Sequence, residues 1–297
     1  MSRTVLFLGI LGVLCFASSS SATIIAYDGF DYDSDGLGVD IAGRAGGVGF
    51  SGEWSDGDGD FDAVFDYTSG SLMYPSGSPG AGSEKGGRLS GLLPGEDGTA
   101  TSGSGEVIRD INESDDQDMI GWNRDAVTYM SALVRKTGTA SSASEHITVS
   151  IDNGGSGVGA RFGLGSNEKF FVGISTAATE YGTRDVVPGE TYLLVAKMEA
   201  SNSVDDVLSL WVYGEGDVVP NADPITGFDV SQTVGSGRSL ERVRITFGNF
   251  NMGMDVDEVR IATTWREVVN PAVPEPATVT LCLLGIAAAA GFRMRRK

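Results

Sequence analysis

The sequence predicts an all-β domain, either a sandwich or a barrel, between two apolar terminal segments. From Thr23 to about Val269 we find no long stretch with helical periodicity. The apolar residues of this region come in short runs separated by clusters of Gly, Ser, Asn and Asp, which is the pattern of short strands joined by turns. Each end of the chain, by contrast, carries one continuous apolar run. A domain at residues 23–269 with separate terminal signals accounts for all three observations.

Nine segments are the best strand candidates. The alternation is clearest in residues 191–199, where Tyr192 and Leu194 share one face while Lys197 and Glu199 share the other. This period of two predicts a strand that is buried on one face. The candidates are Ile24–Tyr27, Thr128–Arg135, His146–Ile151, Ala160–Leu164, Lys169–Ser175, Thr191–Glu199, Val207–Tyr213, Arg242–Phe247 and Asp255–Ala262.

Residues 69–118 are rich in Gly, Ser and acidic residues and contain few apolar ones. That composition predicts a long surface insertion with a short strand or two.

The first 22 residues have the three parts of a secretory signal peptide. Arg3 supplies the positive charge, Val5–Phe16 supply the apolar run, and the small residues up to Ala22 supply a cleavage site. A membrane anchor is the alternative, but about twelve apolar residues are too few for a hydrocarbon core of ~30 Å. We therefore expect export and cleavage by signal peptidase.

The last residues also form an ordered signal. A linker at 270–276 ends in Pro-Glu-Pro, residues 277–292 are apolar, and the chain stops on a basic cluster. The apolar stretch is expected to form a membrane helix whose basic end stays in the cytoplasm. This order resembles the PEP-CTERM tail, which implies sorting by an exosortase-type enzyme; a plain tail anchor is the alternative. The residues of the signal are Pro274, Glu275, Pro276, Arg293, Arg295, Arg296 and Lys297.

The net charge argues against nucleic acid as a partner, and the positions of the cysteines argue against a disulfide in the domain. The two terminal segments hold five of the 21 basic residues and none of the 40 acidic ones, so without them the net charge changes from −19 to −24. Nucleic acid is a poor partner for such a surface, because phosphate binding needs clustered Lys and Arg. Both cysteines, Cys15 and Cys282, lie in the terminal segments, so the domain is expected to fold without a disulfide.

Several stretches resemble exported PEP-CTERM proteins with laminin-G or concanavalin A-like domains. They are Asp28–Tyr32, Gly46–Trp54, Glu190–Lys197, Leu208–Val212 and Asp257–Trp265. The resemblance implies a two-sheet antiparallel jelly roll. It also implies that the closing strand near Val259 pairs beside the opening strand near Ile25.

An acidic loop near the start of the domain suggests calcium. Asp31, Asp33 and Asp35, followed by Gly36, match the first positions of a calcium-binding loop. Position twelve is Ala42 where a bidentate Glu is required, so the loop is not an EF-hand. A weak calcium site and solvated acidic turns both remain open, because Asp and Gly are also common turn residues.

No catalytic constellation stands out. The Glu-x-Asp-x-x-Glu strand pattern of glycosidases in this fold class is absent, and the nearest strand-borne acids are Asp255, Asp257 and Glu258. The one histidine, His146, begins a predicted strand, with no Gly-x-Ser-x-Gly elbow in the sequence to pair with it. Such a histidine is typical of a surface or packed position.

Tryptophans offer a possible ligand contact, since aromatic rings stack on sugars. Trp211 lies in an alternating strand and is expected to be buried, whereas Trp122 lies in a polar stretch and is expected to be exposed and able to contact a ligand. The sequence therefore favours an exported, exosortase-sorted cell-envelope or matrix protein, noncatalytic, with polysaccharide as the expected ligand. The alternative is a glycan-active hydrolase or lyase on the same sandwich.

Overall fold

The computed structural model describes most of the predicted domain. The described residues are 24–30, 32, 39–56, 65–69, 71–75, 87–91, 105–112, 125–138, 146–152, 159–174, 179–201, 204–234, 241–248 and 253–269.

These residues form sixteen strands and one short helix, α1, at Trp265–Val269. The strands are β1 Ile24–Asp28, β2 Val39–Asp40, β3 Phe50–Asp56, β4 Phe65–Ser69, β5 Gly87–Gly91, β6 Gly105–Ile111, β7 Ala126–Lys136, β8 His146–Asp152, β9 Ala160–Leu164, β10 Lys169–Ile174, β11 Glu180–Asp185, β12 Thr191–Ala200, β13 Asp206–Tyr213, β14 Val230–Val234, β15 Arg242–Gly248 and β16 Met254–Ala262.

The strands pair into two antiparallel sheets. Sheet A has the order β14-β13-β12-β7-β16-β5-β4-β2, with β1 also paired to β16, and sheet B has the order β11-β10-β9-β8-β15-β6-β3. In β1, Asp28 lies opposite Val259. The predicted two-sheet jelly-roll sandwich is therefore confirmed, as is the pairing of its opening and closing strands.

The main core lies between the two sheets. Sheet A contributes alternate residues such as Leu194 on β12 and Leu210 on β13, and sheet B contributes Val149, Phe162 and Ile245; all five are fully buried. This alternation follows the pleat of each strand, which sends neighbouring side chains to opposite faces.

A second apolar layer covers the outer face of sheet A. Leu193, Val195 and Trp211 pack there against Trp265 and Val268 of α1. The prediction that Trp211 is buried is confirmed. The prediction that residues 191–199 form a half-buried strand was wrong for most of its length, because this outer layer covers the second face of β12.

The region 69–118 contains two short strands, as expected, but where the structure describes it these strands are not on a surface insertion. The two strands in it, β5 and β6, are paired on both sides inside sheets A and B. Val107 and Ile111 of β6 point into the main core. A sequence with few apolar residues can still form an inner strand when its inward positions are apolar or, as at Arg109, paired with a buried carboxylate.

A buried polar network joins the opening motif to sheet B. The Asp28 carboxylate accepts hydrogen bonds from the Tyr32 hydroxyl at 2.5 Å, the Trp54 indole at 3.0 Å and the Arg109 guanidinium at 2.6 Å. It also accepts one from the backbone N–H of Phe30, whose φ of 49° lies in the left-handed region. Asp28, Tyr32 and Trp54, which lie in the stretches that carry the family resemblance, thus hold the start of the chain against sheet B.

Candidate functional site

The outer face of sheet B is exposed toward its β11 edge, where Tyr181 is 44% exposed. Ile147 and Val149 of β8 point into the main core. The alternate positions of that strand, His146 and Thr148, therefore point outward. Thr148 pairs with Gly163 on β9, and Gly163 in turn pairs with Phe171 on β10. Tyr181 on the edge strand β11 continues the same row. Polar and aromatic side chains therefore meet on one surface.

Two glycines leave room for large side chains to lie across this face. A Cβ at Gly165 would lie 2.6 Å from the Tyr181 ring, and a Cβ at Gly173 would lie 2.8 Å from Nε of Arg161. Since real Cβ atoms do not approach other atoms this closely, any other residue would push Tyr181 or Arg161 away from the sheet. The glycines therefore shape the surface.

The result is an open cavity of about 150 Å³ on the outer face of sheet B, which we call the sheet B groove. The Phe171 and Tyr181 rings have centroids 6.0 Å apart; Phe171 is buried beneath, and Tyr181 is 44% exposed. The groove is lined by His146, Thr148, Arg161, Gly165, Ser166, Phe171, Thr179 and Tyr181.

Arg161 is the charged group of the groove. One of its terminal nitrogens donates a hydrogen bond to Oγ1 of Thr179 at 2.9 Å. Its Nε is buried and has no acceptor among the described residues. A guanidinium presents five donors in a planar fork that matches carboxylate or phosphate geometry, so Arg161 retains donors for a ligand.

The other basic residues described on this face are already paired with carboxylates. Arg244 binds both Asp152, at 2.6 Å, and Glu106. Burial alone would lower the pKa of the Arg244 guanidinium, but hydrogen bonds with these two carboxylates raise it. Lys169 pairs in the same way with Asp185. Within the described part of this face, only Arg161 lacks a carboxylate partner.

The acidic residues of β16 form ion pairs and hydrogen bonds within sheet A. Asp255 is paired with Arg135 at 2.6 Å, and Glu258 with the buried Arg260. Asp257 accepts the backbone N–H of Leu72 at 2.8 Å. Burial and the nearby Glu258 raise the pKa of Asp257 well above its usual value. These contacts hold the bulged closing strand in place.

Most of the sequence-predicted site residues lie outside the described residues. They are Asp31, Asp33, Asp35, Trp122, Pro274, Glu275, Pro276, Arg293, Arg295, Arg296 and Lys297. In the part of the chain that the structure describes, no group of three or more Asp, Glu, His or Cys could hold a metal ion. The other tryptophans, Trp54, Trp211 and Trp265, are buried.

Sequence reasoning missed the groove. His146 was noted only as a lone strand histidine, and neither Arg161 nor Tyr181 was singled out. Tyr181 lies on β11, whose residues Glu180–Asp185 carry no apolar alternation. The available signal was the set of glycines at alternate positions of β9 and β10, since glycine inside a strand marks a close approach by another group.

The fold and the groove define a two-sheet antiparallel sandwich with one open, polar and aromatic face. Residues 272–297 match the PEP-CTERM protein-sorting motif. The chain is therefore an exported protein that carries an exosortase sorting signal at its C-terminus. Within the described residues no helix is long and apolar enough to cross a membrane; the predicted membrane helix lies beyond them.

Other comparisons concern the fold alone. The chain is similar to an endo-β-1,4-glucuronan lyase from the fungus Trichoderma reesei, with 12% identity, a TM-score of 0.46, and coverage of 84% of this chain and 99% of the lyase. It is also similar to the globular domain of T. cruzi calreticulin, with 12% identity, a TM-score of 0.42, and coverage of 73% and 86%. No curated protein matches the sequence. At this level of identity these similarities concern the fold, and no activity is assigned from them.

Proposed function

We propose that this protein is a noncatalytic component of the cell envelope or extracellular matrix that binds polysaccharide in the sheet B groove. The observation that carries the proposal is the combination of Tyr181, Phe171 and Arg161 on one open face. Aromatic rings bind the apolar face of a sugar, and fixed polar groups bind its hydroxyls.

The shape of the groove supports a polymer rather than an enclosed small molecule. Its volume of about 150 Å³ is smaller than the ~300–1,000 Å³ of typical small-molecule pockets. Its floor is a sheet surface, which allows a chain to continue past it in either direction. Part of a polysaccharide lying across the strands fits this geometry.

The residues of the groove also bear on the alternative, a glycan-active enzyme. Among the described residues that line it there is no Asp or Glu, whereas glycoside hydrolysis uses two carboxylates. An eliminating lyase needs a cation to bind the sugar carboxylate and a base to remove a proton. Arg161, His146 and Tyr181 line the same groove, so a lyase is the second candidate.

The test is binding of the full chain, purified in detergent, to an array of bacterial and plant polysaccharides, with and without calcium. The proposal expects retention on at least one polymer, with no change in polymer length during incubation. A new unsaturated chain end, detected by its ultraviolet absorbance, would replace the noncatalytic proposal with the lyase. Binding to no polymer would refute both.

A pair of matched variants assigns the binding to the groove. Tyr181→Ala removes an aromatic ring that is 44% exposed on sheet B, and Phe228→Ala removes one that is 47% exposed and packs on Trp211 of sheet A. We expect Tyr181→Ala to weaken binding about tenfold, the effect of an aromatic contact worth ~0.5–1.5 kcal/mol together with its buried area. Phe228→Ala should leave binding unchanged. Equal effects of the two variants would remove the groove from the proposal.

A further inference from the structure

We infer that the sheet B groove selects anionic sugar units, those bearing a carboxylate or a sulfate, through Arg161. This inference rests on the proposed polysaccharide binding and specifies its ligand class. It comes from the one guanidinium on this face that has no carboxylate partner among the described residues.

The unpaired state of Arg161 contrasts with the rest of the domain. Most other basic residues of the described structure pair with carboxylates even where they are buried, as Arg109 does with Asp28 at 2.6 Å; Arg266, which is exposed on α1, has no such pair among the described residues. In a chain with 40 acidic and 21 basic residues, a carboxylate partner is readily available. Arg161 instead donates to the neutral Thr179 hydroxyl and faces the groove.

The overall negative charge does not prevent an anionic ligand from binding here. At physiological ionic strength charges are screened beyond about 8 Å, so the groups close to Arg161 decide the local potential. On this face Asp152 and Glu106 pair with Arg244, and Asp185 pairs with Lys169. Glu180, between Thr179 and Tyr181 on the edge strand, is exposed and has no ion pair among the described residues, but it does not line the groove. Among the described residues that line the groove, the charge without an oppositely charged partner is therefore the positive one of Arg161.

Gly173 sets the position of this charge. Because a Cβ at residue 173 would lie 2.8 Å from Nε of Arg161, the guanidinium rests directly over the backbone of β10. In that position it donates to Thr179, and Thr148 and Tyr181 line the same groove. A sugar ring on Tyr181 would place a ring substituent within reach of Arg161.

The experiment compares one polymer in two charge states. The full chain in detergent is titrated with a polyuronate, with the same polymer after methyl esterification of its carboxylates, and with a sulfated polysaccharide. We expect binding of at least one anionic polymer to be at least tenfold tighter than binding of the ester. Preference for the polyuronate or for the sulfated polymer identifies which anion is recognised.

Three variants then test Arg161 itself. Arg161→Gln should weaken binding of the anionic polymer about tenfold, because a hydrogen bond to a charged group is lost, and should leave binding of the ester unchanged. Gly173→Ala, which displaces Arg161, should also weaken binding of the anionic polymer, and it leaves the net charge unchanged. Arg266→Gln, which removes an exposed positive charge from α1, is the matched control and should have no effect.

The outcomes separate this inference from the proposed function. Equal affinity for the polyuronate and its ester, unaffected by Arg161→Gln, would overturn the anionic selectivity and leave polysaccharide binding intact. Equal losses in Arg161→Gln and Arg266→Gln would show that general charge, and not the groove, attracts the polymer. Failure of every variant and of the unaltered chain to bind any polymer would overturn the proposed function as well.

Discussion

Replacing Asp28 with alanine should be among the most destabilising single changes in the domain. The substitution removes the acceptor shared by Tyr32, Trp54 and Arg109. Arg109 is only 3% exposed, so its charge would remain buried without a carboxylate. It keeps two backbone carbonyl acceptors, those of Gly46 and Gly52, which lessen the cost without neutralising the charge.

The expected loss follows from the cost of breaking a buried ion pair by removing one partner. That cost is about 3–5 kcal/mol of the free energy of unfolding. For a domain of this size each kcal/mol shifts the melting temperature by about 2–4 °C, so Asp28→Ala should lower it by about 6–20 °C. The measurement is heat unfolding followed by circular dichroism, with urea unfolding as a second probe.

A matched control lies next to Arg109 on the same strand. Asp110 pairs with Arg242, but its side chain is 60% exposed, and exposed pairs contribute about 0–1 kcal/mol. Asp110→Ala should therefore change the free energy of unfolding by less than about 1 kcal/mol. If Asp28→Ala costs no more than Asp110→Ala, the network does not anchor the start of the chain and the reasoning is wrong.

Two further predictions concern the closing strand and the tail. The raised pKa of Asp257 means that the folded state keeps a proton that the unfolded state has lost, so the free energy of unfolding should fall as the pH rises above the ordinary carboxyl value of 3.8. Asp257→Asn should reduce this slope in urea unfolding series, and an unchanged slope would contradict the assignment. Neutralising the basic end of the sorting tail should disturb retention of the precursor in the inner membrane, measured by cell fractionation; processing at the normal rate would show that these charges are dispensable. The residues changed are Arg293, Arg295, Arg296 and Lys297.

The strands that could be predicted from the sequence are those whose apolar positions alternate over their length. Each of the nine predicted segments overlaps a strand of the structure, and Ala160–Leu164 has the predicted bounds. β6, expected only as an unplaced short strand, could not be located because its inner positions include Arg109, whose partner Asp28 is 81 residues away in the chain. No local pattern shows that a charged residue will be neutralised by such a distant carboxylate.

The groove was less predictable than the fold for a related reason. Its residues come from four strands, and Thr148, Phe171 and Tyr181 become neighbours only through the register of the sheet. The burial of both faces of sheet A likewise depends on α1 and the loop around Val219, which fold back over it. Sequence periodicity reports which face of a strand is apolar, and it does not report which sheet will receive a second layer.

The second apolar layer also determines on which side of the sandwich the described chain ends. Val268 and Val269, at the end of the described chain, are buried against the outer face of sheet A. The sheet B groove opens on the opposite face of the sandwich. The described chain therefore ends on the side of the sandwich away from the groove. If the precursor is held at this end, the groove faces away from the tethered side, so we expect the proposed polymer binding to Arg161 and Tyr181 to occur before the tail is processed.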